Sequence, residues 1–174
     1  RLAPEDRYDV IFAVVRYMQL ESMIEILRAN ATKNIVFVGN DVRAAGHREC
    51  DRVVSVDLRK ITIGQLRGAA SNETLIGQIF SGTEYKVAYE PNMEDYLLCH
   101  AAFVLPAAFA CYKSDGDLKR LKGNTAYLNR LIDANIEGYR AIRNAGDGIL
   151  PKEDADFESA AYRKTCLRFF KLIC

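Results

Sequence analysis

One ionisable side chain interrupts the most apolar stretch of this sequence. From Tyr96 to Tyr112 (YLLCHAAFVLPAAFACY) every residue is apolar or small except His100, with Pro106 the other departure. Histidine changes charge near neutral pH, so an imidazole in such a setting can give or take a proton. The ordinary alternative is a core histidine hydrogen-bonded to a neighbouring carbonyl or carboxylate. Glu94 and Asp95 open the same stretch, where acidic side chains suit a helix N-terminus; a substrate contact is the second reading of Glu94. Tyr96 either presents its hydroxyl to a ligand or packs at a core margin. Two further candidates follow apolar runs. Arg16 comes after YDVIFAVV, and Asn40 comes after NIVFVG. A guanidinium at a strand end can hold a phosphate through two parallel hydrogen bonds. Gly39 lets the backbone approach a ligand closely, although asparagine is also an ordinary turn residue.

The bulk composition narrows the classes. Hydrophobic residues make up 49% and charged residues 27% of the 174, a globular balance, and the net charge is +1. That charge gives no electrostatic reason to expect nucleic acid or an acidic membrane as partner. The cysteines at 50, 99, 111, 166 and 174 form no CxxC and no metal-ligand spacing, which implies free thiols and a cytoplasmic setting. No metal site is expected. The chain opens at Arg1 just before a strand and closes at Cys174 inside an apolar, basic helix, so we expect sequence beyond both ends.

These candidates need elements to hold them. Tyr8 to Val15 is a β-branched and aromatic run, as in a strand covered on both faces of a parallel sheet. Leu20, Met23, Ile24 and Leu27 then fall at i, i+3, i+4 and i+7, one stripe of a helix. Asn34 to Val38 is a second strand, which completes a βαβ unit. Ligands bind beyond the carboxyl ends of strands in such sheets, which places Arg16 and Asn40 on the ligand-facing edge. Arg52–Leu58 and Lys60–Leu66 alternate with period two and are predicted to pair as a hairpin. A short helix over 72–80 and a strand over 84–90 follow.

Composition turns helical after Pro91, where we place a domain boundary. A helix apolar all round is buried in a core or in lipid. A span needs about 20 apolar residues, and this shorter stretch carries His100 and Pro106, so we expect no membrane partner. The stretch is read as the buried centre of a helical domain. Asn124 to Asn144 is the next helix, with Leu128, Leu131, Ile132 and Ile136 as its core stripe, and a final helix runs from Asp156 to Cys174. The apolar surface of the central and last helices predicts a homodimer through this domain. The pair Gly146-x-Gly148 follows a helix rather than a strand, so it is no nucleotide-binding turn.

The order of these elements resembles the ketopantoate reductase (2-dehydropantoate 2-reductase) family. YDVIFAVVRYMQLESMIEIL with NIVFVGND is similar to the second half of its cofactor domain, AAGHRECDRVVSVDLRKITIGQL to its sheet-edge region, and MEDYLLCHAAFVLPAAFACYKSDGDLKRL to the start of its helical domain. The resemblance implies α/β plus all-α architecture. Residues 1–91 would be the second half of a Rossmann-type NAD(P)-binding domain, and residues 92–174 a helical substrate and dimerisation domain like that of 6-phosphogluconate dehydrogenase. It also implies an NADP-dependent oxidoreductase that reduces a small 2-keto acid. Arg16, Gln19 and Asn40 would be its cofactor-side residues, with Glu94 and Tyr96 on the substrate side.

The sequence departs from that family at decisive points. The glycine-rich turn is absent, and Asp41 runs almost directly into Ala44-Ala45 where a helix and strand are expected. The family's catalytic lysine and a neighbouring asparagine align with Leu97 and Ala101, which cannot move a proton. His100, on the same helix face as Leu97 and Val104, is then the nearest proton donor. A non-catalytic descendant of the fold that binds a ligand or protein is the alternative.

Overall fold

The structure is a computed structural model that describes residues 3–15, 17–37, 43–57 and 59–173. The chain forms two compact units: residues 1–64 with 70–89, and residues 65–69 with 90–174.

In the first unit, strand β1 (Ile11–Ala13) and strand β2 (Ile35–Phe37) pair in parallel, with Phe12 opposite Val36. Helix α1 (Tyr17–Ala29) joins them, so the expected βαβ unit is present. Leu27 is buried in the stripe that the 3.6-residue period foretells. Asn30 ends the helix by tying down the chain's opening. Its side-chain amide donates to the carbonyls of Ala3 (2.8 Å) and Asp6 (3.0 Å), and its oxygen accepts from the Thr32 N–H. The strands are not covered on both faces as expected, since Phe12, Val14 and Phe37 are exposed.

The expected hairpin is also corrected. Strand β4 (Arg52–Asp57) pairs antiparallel with β3 (Arg43–Glu49) through a tight turn at Cys50 and Asp51. Strand β5 (Lys60–Gly64) pairs instead with β6 (Lys86–Glu90), and helix α2 (Glu73–Phe80) connects them. Alternation marks a strand but does not name its partner. Val36, Ile61, Ile63 and Ile76 form one core, flanked by Val10, Phe80, Tyr85 and Val87.

The second unit is helical. Helix α3 (Met93–Lys113) starts at Asn92, whose side chain accepts from the Asp95 N–H, and runs through Pro106 without a break. Helix α4 (Thr125–Ala145) starts at Asn124, which accepts from the Tyr127 N–H at 3.0 Å. It stops at Gly146, whose φ of 94° lies in the left-handed region that glycine adopts without strain. Helix α5 (Ala160–Ile173) closes the unit. Leu128, Leu131, Ile132 and Ile136 are buried as the stripe predicts, and Tyr139 extends it. Phe157, Tyr162, Cys166 and Phe170 complete this core.

Helix α4, rather than α3, is the buried centre. Only one side of α3 enters the core, through Cys99, Ala102, Phe103, Ala107 and Ala110, while Leu105, Phe109 and Tyr112 face outward. The helices meet closely at Gly138, where a Cβ would lie 2.9 Å from that of Ala102. At 21 residues α3 is long and apolar enough by length and composition to cross a membrane, so the expectation that it is too short does not hold. One side of it packs within the helical unit.

Candidate functional site

The structure brings two of the sequence candidates together. Tyr96 and His100 stand one turn apart on α3 with their rings stacked, centroids 6.1 Å apart and planes 13° from parallel. Both line a cavity of about 170 Å³ in the helical unit, with Cys99, Phe103, Tyr139, Leu150, Pro151 and Asp154. His100 is exposed rather than buried, and it shares an outward face with Leu97 (47% exposed) and Val104 (40%). The buried core histidine is thereby ruled out. This imidazole reaches both solvent and a small cavity, which is the setting proton transfer needs.

Other candidates fall elsewhere. Glu94 is engaged by Arg67, whose Nε lies 3.1 Å from Glu94 Oε2 and whose terminal nitrogen reaches Asp147 at 3.5 Å. Gln19 is exposed in the first turn of α1, just past β1. Arg16 and Asn40 lie outside the described residues.

Three further groups acquire partners that the sequence reading did not give them. Asp95 looked like a partner for the helix N-terminus but is 5% exposed. Its Oδ2 accepts from Asn92 Nδ2 (2.6 Å) and from the Gly148 N–H (2.8 Å), so it fastens the chain after α4 to the start of α3. A Cβ at Gly148 would sit 2.7 Å from that carboxylate oxygen, so any other residue there would push the Asp95 side chain aside. Cys99, which lines the same cavity as His100, accepts from the Leu150 N–H at 3.4 Å. Burial pushes its thiol up, which makes it a poor nucleophile.

The third is the pair Tyr139 and Asp154. The Tyr139 hydroxyl donates to Asp154 Oδ2 at 3.0 Å. Burial, and then the neighbouring carboxylate, push the phenol up. Burial raises Asp154 as well, against the lowering effect of the Tyr139 hydrogen bond. A signal for this pair was present: tyrosine on the α4 core stripe has to find a partner for its hydroxyl.

Phe103 and Asp154 also line a second, larger cavity of about 530 Å³ beside α5. That volume falls within the roughly 300–1,000 Å³ of ordinary small-molecule sites, and the smaller one falls below it. Among the described residues no group of three or more His, Cys, Asp or Glu side chains is placed to hold a metal ion.

With this geometry in view, comparison with solved structures gives a clear likeness. The chain superposes on a Staphylococcus aureus protein assigned as a 2-dehydropantoate 2-reductase with a TM-score of 0.66, at 12% identity, over 95% of this chain and 58% of that one. A dimeric ketopantoate reductase from the same organism gives 0.65, also at 12% identity, over 95% of this chain and 59% of the other. The likeness is one of fold. The chain spans less than two thirds of the length of these neighbours. No family model matches the sequence, and no curated protein matches it. The α/β-plus-helical architecture is therefore shared with part of these two reductase structures.

Proposed function

We propose that this chain belongs to an NADP-dependent oxidoreductase of the ketopantoate reductase type, which reduces a small 2-keto acid in the cytoplasm. The observation that carries this reading is the fold likeness over 95% of the chain. In the proposal residues 1–91 are the cofactor side and residues 92–174 the substrate and dimerisation side. The parallel β1–α1–β2 unit suits a nucleotide, since such sheets bind ligands beyond the carboxyl ends of their strands. Arg16, Gln19 and Asn40 belong to that edge by sequence, and Gln19 is exposed there.

NADPH, when bound, supplies the hydride. The chain's own task is to hold the keto acid and to deliver a proton to the oxygen that becomes an alkoxide. His100 is assigned that proton, because Leu97 and Ala101 carry none and the imidazole is both accessible and oriented by its stack on Tyr96. Tyr96 and Glu94 are assigned to the substrate, Glu94 with Arg67 beside it. The helical unit is assigned the contact between two copies; the neighbouring reductase is described as dimeric.

A second reading, a ligand- or protein-binding descendant without catalysis, draws on Leu97, an exposed aliphatic residue at the family's lysine position. NADPH oxidation by the whole protein in the presence of a series of 2-keto acids separates the two. Turnover with at least one of them is the expected result, and its absence across the series with NADPH bound favours the second reading.

A further inference from the structure

The larger cavity of the helical unit has a distinctive lining. It is walled by the rings of Phe103, Tyr162 and Phe169 and edged by the carboxylates of Glu153, Asp154 and Asp156, with no Lys, Arg or His among its lining residues. Several other carboxylates of this unit are matched by cations. Glu158 is held by Arg140 and Arg143, Asp133 by Arg163, and Asp115 and Asp117 by Arg120. Among the described residues no cation pairs with Glu153, Asp154 or Asp156. Among the described residues, the side chain of half-buried Asp154 takes only the Tyr139 hydroxyl. Desolvating a carboxylate without a counter-charge is costly, and Asp154 is the one of the three drawn out of solvent, so it is the group that a positive charge entering the cavity would meet.

The chemistry of that charge follows from the walls. A metal ion needs several oxygen ligands converging on one point, and among the described residues no such group of carboxylates is found. Aromatic faces attract an organic cation through the ring quadrupole, and they cover its hydrocarbon part as well. We infer that the cavity between α3 and α5 binds a small organic ammonium ion with an apolar body, its nitrogen at Asp154 and its hydrocarbon against Phe103, Tyr162 and Phe169. An anionic 2-keto acid is excluded from this cavity by the same carboxylates. Phe103 and Asp154 also line the smaller cavity beside His100, but the inference rests on this cavity's own walls and its test needs no keto-acid reduction.

Calorimetric titration of the whole protein with phenethylammonium tests it, with phenylacetate as the isosteric anion. The expected result is saturable binding of the cation and none of the anion. Asp154→Asn keeps an acceptor for Tyr139, and it should weaken cation binding about tenfold, the value of a hydrogen bond to a charged group. Phe169→Leu, at a half-exposed position that tolerates the change, should weaken it a few-fold, about the value of one aromatic face. Equal binding of cation and anion, no binding of either by the folded protein, or cation affinity unchanged by Asp154→Asn would each overturn the proposal. So would stoichiometric displacement of the cation by Mg²⁺.

Discussion

Truncating Phe157 to alanine lowers the stability of the helical unit by about 3–5 kcal/mol, the usual cost of removing a fully buried aromatic ring. Phe157 is wholly inaccessible, although it lies in the connection between the end of α4 and the start of α5. Its ring meets Tyr139 edge-on at 5.4 Å, and the Arg143 guanidinium sits 4.8 Å above it. Those contacts anchor the connection that carries Pro151 and Asp154 to the cavities. The substitution should therefore also loosen the Tyr139–Asp154 hydrogen bond, since Asp154 precedes the anchor by one helical turn's worth of chain. Urea unfolding followed by circular dichroism measures the first effect. A loss below about 1 kcal/mol would mean that the connection collapses onto the vacated space, and that the ring does not hold it.

The second large effect concerns His100. Its replacement by glutamine should lower turnover of the whole protein by about 10²–10⁴-fold, the range that general acid–base catalysis contributes. Stability should change by no more than about 0.5 kcal/mol, because the side chain is exposed and makes no hydrogen bond among the described residues. The two readouts pull apart only if the imidazole does chemistry. Lost stability with unchanged turnover per folded molecule would return His100 to a packing role and leave the reductase reading without its proton donor.

Much of this architecture was written in local patterns. The α4 stripe of Leu128, Leu131, Ile132 and Ile136 was legible because one polar face leaves only one way to bury the other. The βαβ unit was legible because β-branched runs and a 3.6-residue period alternate within a short span. Helix α3 misled for the opposite reason. An all-apolar helix carries no polar face to mark what is outside, so Leu105 and Phe109 looked as buried as Cys99 and Ala110. The inner side is mostly small, Cys99, Ala102, Ala107 and Ala110 with Phe103 the one bulky member, while Leu105, Phe109 and Tyr112 face out. The β3–β4 pairing was hidden because RAAGHRE carries no apolar alternation, and its partner is set by chain connectivity at Cys50 and Asp51.

The candidate site was half legible. His100 and Tyr96 stand one turn apart in the sequence, so a helix was enough to bring them together. Asp154 could not be placed, because it comes from a connection whose path depends on Phe157 and on the buried Asp95–Gly148 contact. Glu94 was chosen as a substrate ligand without sight of Arg67, which lies 27 positions earlier and binds it in the folded chain.

The most direct test of the reductase reading is a fluorescence titration of the whole protein with NADPH, with NADH in parallel. The account predicts saturable NADPH binding, weakened by substitution of Arg16 with glutamine if that guanidinium meets the cofactor's phosphate. Absence of binding by either nucleotide would contradict it.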